Sequence, residues 1–566
     1  MVNLVIQISK YLIIILMALY TLQCFTVFGK KDEEARQYLF LRQNMLMFFM
    51  HFVAFMVLYL EMSETTILLF YGAQVIYLAA VLVLFGNIYR RASRLLINNM
   101  CMLISIGFIM LTRLSYEQSI KQFKITVLAS VVALFVPVII RKLRVITKMY
   151  WLYALVGVGL LALVAIAATS TYGAKLSFNF GAFSIQPSEF VKIIYVFAIA
   201  GLLSHARDLR RLAIATGLAA LHVLILVVSR DLGSALIFFI TYLVMIFIST
   251  RNPFYTLAGL LAGSAAAVGA YFMFSHIRVR VQAWQDPFRD YQGGGYQICQ
   301  SLFAISAGSW FGTGLCQGSP EAIPFAEQDF MFSAIAEELG SIFGICLLLV
   351  CMSCFIMFIN ISMQLTNRFY RLVAVGLGTT YAVQVFLTVG GGIKLIPMTG
   401  VTLPLVSYGG SSMMSTQIMF AIVQGLYMLQ RDEEIKNAEK NMPSGYEQEP
   451  YGPEGYGQGA YPENGYGPEG YGPGDYGQDP YGNDGYGRDA YGQDDYGPGP
   501  YTEDGYGEDP YMDAGYGQEP FNEQDGYAGT EYGGYSGYDG TKYDYYKEDS
   551  EEEYEAYRRD EEDPYW

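Results

Sequence analysis

The longest polar interruption in an otherwise apolar chain runs from His276 to Gly340 and carries glycines, aromatics, prolines and acids at intervals. It leaves one acid, Asp329, at the mouth of the next apolar run. Half-burying a carboxylate at a membrane boundary is costly, so this position calls for a reason. Two reasons stand open: an N-cap for the helix that follows, for which Asp is well suited, or a working acid. Other charges lie at membrane depth or its edges. Glu189 and Lys192 are three residues apart on one helical face. Asp231 lies between two short-linked runs, Glu337 and Glu338 lie two turns into a later run, and Lys394 stands in the last outer loop. These are either packing ion pairs and snorkelling ends or the lining of a polar cavity through a bundle. The four histidines are too dispersed for metal-ligand spacing with cysteine.

The elements that must position these groups are membrane helices. Thirteen apolar runs approach the ~20 residues that span a bilayer. They begin near residue 3 and end near residue 429. The first lacks a small-residue cleavage site and is long enough to span, so no cleavable signal peptide is expected. Basic loops (30–42, 90–94, 141–148, 205–211, 251, 368–371 and the stretch after Arg431) alternate with acidic, neutral or glycine-rich ones. The positive-inside rule makes the basic set cytoplasmic. The N-terminus is then outside, as is the loop 276–330, and the C-terminal tail is inside.

The formal net charge of −16 averages two unlike parts: residues 1–430 carry 16 acids and 28 bases, residues 431–566 carry 36 acids and 8 bases. In the tail a tyrosine recurs every five residues from Tyr451 to Tyr516, among Gly, Pro, Asp, Glu, Asn and Gln. Aliphatic residues are nearly absent, so no core can form and disorder is expected. The tail reads either as a solvated spacer or as a tyrosine-rich segment that binds basic partners. Residues 432–440 extend the last helix briefly. Five of the seven cysteines lie in apolar runs as small core residues. Cys299 and Cys316 share the long loop and could pair if it faces an oxidising space, although spacing alone establishes no disulfide.

Three islands together resemble the SEDS family of polytopic membrane proteins, which includes RodA, FtsW and SpoVE. The first is Gln186-Pro187-Ser188-Glu189, with Lys192 three residues on. The second is the long loop: Asp286-Pro287, Gly293 to Gln297, Gln300-Ser301, Gly312-x-Gly314-Leu315, and Pro324 through Asp329-Phe330 to Glu337-Glu338-Leu339-Gly340. The third is Pro397-Met398-Thr399-Gly400 to Pro404, followed by Ser407-Tyr408-Gly409-Gly410-Ser411-Ser412. Departures surround these islands. Gly173-Ala174-Lys175-Leu176-Ser177 lacks the Arg-Trp that many members carry before the first island, Phe325-Ala326-Glu327-Gln328 precedes Asp329, and Arg230 replaces a proline before Asp231.

The resemblance implies an all-α, polytopic membrane helical bundle of about thirteen helices, a ten-helix core plus three N-terminal additions. It divides the chain into 1–145 (N-terminal helices, about three of them extra), 146–430 (core with loop 276–330) and 431–566 (tail). It implies a peptidoglycan glycosyltransferase that polymerises lipid II outside the cytoplasmic membrane beside a class B penicillin-binding transpeptidase. Asp329 matches the family's essential loop aspartate and would be the base. Lys192, Lys394 and Arg280 (or Arg278) are candidates for the diphosphate, since lysine and arginine bind phosphate as charges or forks. Glu189 and Glu338 would bind substrate or hold those bases, and the motif positions Gln297 and Ser407 carry over as substrate contacts. Gly293 to Gly295 and Gly409-Gly410 are phosphate-approaching backbone or tight turns. A divalent cation, Mg or Mn, is the one cofactor a diphosphate would bring, and no ligand set announces one. A lipid II flippase and a non-catalytic scaffold for the transpeptidase remain alternatives. Because the tail lies across the membrane from the loop, deleting residues 441–566 is expected to leave polymerisation by the purified chain essentially unchanged, measured as glycan formed per enzyme.

Overall fold

Inside lipid a backbone must satisfy its own polar groups, and apolar runs of this length do so as helices. The computed structural model describes residues 2–142, 144–167, 169–171, 174–180, 183–206 and 208–440. Among them thirteen helices are long and apolar enough to cross a membrane, so the chain is a multi-pass membrane protein. The first five are α1 (Val2–Gly29), α2 (Glu33–Met62), α3 (Thr65–Ile88), α4 (Arg94–Leu114) and α5 (Tyr116–Lys142). After α6 (Tyr150–Ala167) come three short strands, β1 (Thr169–Thr171), β2 (Ala174–Phe180) and β3 (Phe183–Ile185), an antiparallel sheet in that order. Then follow α7 (Pro187–Ser204), α8 (Leu209–Val228), α9 (Leu232–Thr250) and α10 (Pro253–Met273). Two shorter helices, α11 (Ser275–Gln285) and α12 (Tyr296–Gly308), precede α13 (Met331–Gln364), α14 (Arg368–Gly392) and α15 (Gly410–Lys440). Each long helix crosses the bundle once. The basic links therefore gather at one end and the segment 274–330, the sheet and the segment 393–409 at the other; these are called the basic end and the loop end.

The structure differs from the sequence expectation in two respects and closes one open question. The long loop contains α11 and α12, and the segment after α6 is a sheet. Cys299 and Cys316 are both free. As expected, α15 runs on to Lys440. The tail 441–566, for which disorder is expected, lies outside the described residues.

Polar stitches join the first helices to the rest. Tyr20 donates to Asn99 Oδ1 at 3.0 Å, Asn99 donates to Ser353 at 3.2 Å, and Asn98 donates to Gln43 at 3.0 Å. Such bonds between membrane helices are each worth about 0.6–2 kcal/mol, because the alternative is a polar group in hydrocarbon. They tie α1, α2, α4 and α13 together.

α13 is interrupted at Gly340, where φ is 89° and ψ is 162°. The carbonyls freed on one side of the break are taken by the loop after α12: Thr313 N–H donates to Glu337 O and Gly314 N–H to Glu338 O, both at 2.9 Å. On the other side Ser341 N–H donates to Ser309 O at 3.0 Å. The loop thus replaces the lost helical bonds, which is the condition for breaking a helix at membrane depth. Gly312 sits at φ +74° with Glu338 O 2.2 Å from where a Cβ would stand. Gly312→Ala is therefore expected to lower the thermal unfolding temperature in detergent and the yield of folded protein, since both its backbone angle and the facing carbonyl oppose a side chain.

Candidate active site

Asp329 follows a turn of 3₁₀-like hydrogen bonds and stops two residues short of α13, whose N-cap is Phe330 with no side-chain capping bond. The capping role open to Asp329 from sequence is not the one it takes. Its carboxylate makes no hydrogen bond or close ion pair with any described residue. The side chain is surrounded by protein atoms yet keeps accessible surface, as a group in a cleft does. Burial pushes its pKa up to about 6; the charge of Arg280 opposes that shift and Glu327 adds to it.

Three segments meet around this acid. The turn Met398-Thr399-Gly400 passes beside it: Gly400 has φ +71°, and a Cβ there would lie 3.7 Å from Asp329 Oδ2. Arg280, from α11, donates to the carbonyls of Met398 and Thr399 at 3.5 and 3.4 Å. Burial lowers the pKa of its guanidinium, while Asp329 and Asp231 pull it the other way. The turn rests on the start of α9, where a Cβ at Gly233 would stand 3.0 Å from Thr399 O. Asp231 caps α9 by accepting from Ser234 N–H at 3.0 Å, and Ser188 Oγ donates to it at 3.0 Å. The loop end of the bundle thus gathers two carboxylates with a cation within electrostatic reach of both.

Other sequence candidates stand elsewhere. Lys192 is 2 % exposed, with its ammonium 2.7 Å from Glu189 Oε2 and 2.7 Å from Gln384 Oε1. Gln384 donates to Thr402 O at 3.1 Å, and Ser415 donates to Glu189 at 2.9 Å. The pair therefore faces protein, joining α7, α14 and α15 to the segment after the Met398 turn, and not open space for a diphosphate. Desolvation explains this: an unpaired ammonium could not stay so deep. Glu338 does not hold one of the candidate bases; it accepts from Arg113 Nε at 2.8 Å, and Arg113 also donates to Gly318 O at 3.1 Å. Ser407 is 4 % exposed and accepts from Leu403 N–H at 3.0 Å, so its hydroxyl holds a turn. Gly409 N–H is spent on Gln122 Oε1. A Cβ at Gly295 would stand 2.0 Å from Pro287 O, so that glycine serves close backbone approach.

Gln297 and Lys394 are half-buried. Lys394, in the left-handed region at φ 60°, is anchored through its carbonyl by Trp284 Nε1 at 3.1 Å. Burial raises the pKa of the Cys299 thiol on α12, and the charge of Lys394 opposes that shift. Arg278 is exposed and donates to Phe272 O. Among the described residues no three His, Cys, Asp or Glu side chains gather to hold a metal ion. Arg113 and Gln384 escaped the sequence reading. Arg113, a lone arginine in the last turn of an apolar run, was the visible signal.

The Cell cycle protein family of FtsW, RodA and SpoVE matches residues 93–432. The chain belongs to that family. The matched span opens at the first turn of α4, so α1 to α3 precede it. The peptidoglycan glycosyltransferase RodA of Mycobacterium tuberculosis is 33% identical over 380 residues, covering 61% of this chain and 81% of its own length. The stage V sporulation protein E of Bacillus subtilis is 35% identical over 249 residues, covering 43% of this chain and 68% of its own. A chain of a solved peptidoglycan synthase complex shares the fold at a TM-score of 0.53 and 24% identity, covering 60% of this chain and 98% of that one. As a member with such relatives, the chain is a membrane-embedded glycosyltransferase of cell-wall synthesis.

The acid at 329 also sets a stability prediction. Its folded pKa of about 6 lies above the ordinary value of 3.8, so the native state holds the proton more tightly and stability falls as pH rises through that window. Asp329→Asn removes this term. The variant is expected to melt at a higher temperature than the parent at pH 7, with the difference shrinking toward pH 4. Thermal unfolding in detergent at both pH values measures it.

Proposed function

We propose that this chain polymerises lipid II into glycan strands at the outer face of the cytoplasmic membrane, with Asp329 as the base. The reading rests on one observation above others. Glu189, Lys192, Asp231, Glu337 and Glu338 all have hydrogen-bond partners, while the half-buried carboxylate of Asp329 has none among the described residues. A carboxylate left open in a cleft, with a pKa moved toward neutrality, suits proton abstraction far better than an ordinary aspartate.

In the reaction a sugar hydroxyl gives its proton to the Asp329 carboxylate as its oxygen bonds to the anomeric carbon of the donor. The bond from that carbon to the diphosphate oxygen breaks, and its electron pair leaves with undecaprenyl diphosphate. Arg280 faces the same space and would take the growing negative charge, aided by Lys394 from the neighbouring turn. Glu189, Lys192 and Glu338 serve by position, fixing α7, α13 and α14 around the cleft. Any Mg or Mn ion would enter with the diphosphate. The charge pattern supports a cytoplasmic basic end, an outer loop end and an outer N-terminus. A class B penicillin-binding transpeptidase is the proposed partner that crosslinks the product.

Asp329→Asn is expected to lower polymerisation of purified lipid II by about 10²–10⁴-fold, the usual contribution of a positioned base. The parent enzyme should lose rate as pH falls through about 6, because protonated Asp329 cannot accept a proton. Full activity in the variant would remove Asp329 from the chemistry. Headgroup translocation in sealed vesicles with no glycan product would favour a transporter, and normal growth with the variant would favour a scaffold.

A further inference from the structure

At the basic end, far from Asp329, a cavity of about 280 Å³ opens between the added helices and the family core. One wall is the end of α1 and the start of α2, with Lys30 and Arg36; the other is the last turns of α13 and α15, with Gln364, Gln430 and Arg431. Three cations and one acid, Glu434, line it. Its hydrogen-bonding is incomplete on both walls. Gln430 is 3 % exposed, and its Oε1 has no partner although its Nε2 donates to Gln364 and Glu434. Arg36 Nε is buried and unpartnered as well, even though Arg36 Nη1 reaches Glu33 at 3.1 Å. The ammonium of Lys30 has no partner among the described residues. Arg431 is shared between Glu434 at 3.3 Å and Glu33 at 3.7 Å, and Glu33 stands outside the lining.

An occupant that completes this site must do three things. It must bring negative charge to Lys30 and Arg36, accept from Arg36 Nε, and donate to Gln430 Oε1. A buried amide oxygen left without a donor is costly, so the last condition discriminates. The volume falls just below the ~300–1,000 Å³ of pockets for drug-sized ligands, which suits a small headgroup. We propose that this cavity is a binding site for a phosphate ester bearing a hydroxyl or ammonium donor, either a phospholipid headgroup or a small soluble phosphate. Its place at the bundle's basic end puts it at headgroup depth by the charge pattern. Since one wall belongs to α1 and α2, which lie outside the family span, such a ligand would fasten the added helices to the core.

The test uses the full chain, delipidated in detergent and examined by native mass spectrometry. It is offered phosphatidylglycerol, which has hydroxyl donors; phosphatidylcholine, which has none; and free glycerol 3-phosphate. Selective retention of phosphatidylglycerol is expected, with at least about a tenfold loss of occupancy in Lys30→Gln/Arg36→Gln, as loss of charge-assisted bonds implies. Gln430→Leu should narrow the preference over phosphatidylcholine, and an undiminished preference would remove Gln430 from the site. Glycerol 3-phosphate bound instead, with the same sensitivity to Lys30→Gln, supports the site with a soluble source. Equal retention of both lipids by the parent chain, or retention that Lys30→Gln/Arg36→Gln leaves unchanged, overturns the proposal. Lys30 is exposed, so K30Q alone provides a variant whose fold is not at stake.

Discussion

The free-energy cost of holding a carboxylate away from water governs this structure. Nearly every charge inside the bundle meets that cost with a partner: Lys192 with Glu189, Glu338 with Arg113, Asp231 with Ser188 and a helix start. Breaking one partner of such a buried pair typically costs about 3–5 kcal/mol, so these contacts fix helix positions rather strictly. Asp329 is the exception that gives the rest a purpose. It is half-buried in a cleft, it has no hydrogen-bonding partner among the described residues, and its nearest balance is the more distant charge of Arg280. A group in that condition persists only if the surrounding scaffold is rigid enough to hold it there.

Rigidity near Asp329 comes from backbone pairing more than from side chains. The break in α13 is filled by the loop after α12, whose glycines at 312 and 314 permit the approach. Tyr408 N–H donates to Glu327 O at 2.7 Å, joining the segment before α15 to the residues just ahead of Asp329. The loop-end half of α1 reaches the same loop: Lys10 donates to Gly312 O at 3.2 Å, and the rings of Tyr11 and Phe311 lie 5.7 Å apart. The added helices therefore touch the loop that leads to the site at one end and frame a polar cavity at the other.

Much of this was legible in the sequence. Thirteen apolar runs became thirteen helices because lipid leaves the backbone no other choice at that length. Two of the three islands held Asp329 and the Met398–Gly400 turn beside it, and the neighbours Glu189 and Lys192 of the first paired as their spacing required. What escaped was of two kinds. Long-range partners such as Arg113 with Glu338, or Lys192 with Gln384, lie about 200 residues apart, and no local pattern encodes them. From sequence Lys192 reads as a diphosphate ligand, whereas its partners lie inside the bundle. The sheet after α6 left a fainter trace, since Leu176-Ser177-Phe178-Asn179-Phe180 alternates with the period of a strand. The helices α11 and α12 were hidden by their flanking glycines and prolines, which read as loop.

The central claim is that Asp329 is a carboxylate tuned by its burial to work near neutral pH. Isotope-edited infrared difference spectroscopy of its carboxyl band, titrated in the purified full chain with Asp329→Asn as the blank, measures that directly. The account predicts a midpoint near pH 6 that belongs to this residue. A midpoint at the ordinary aspartate value near 3.8, with the enzyme folded and active, would contradict it.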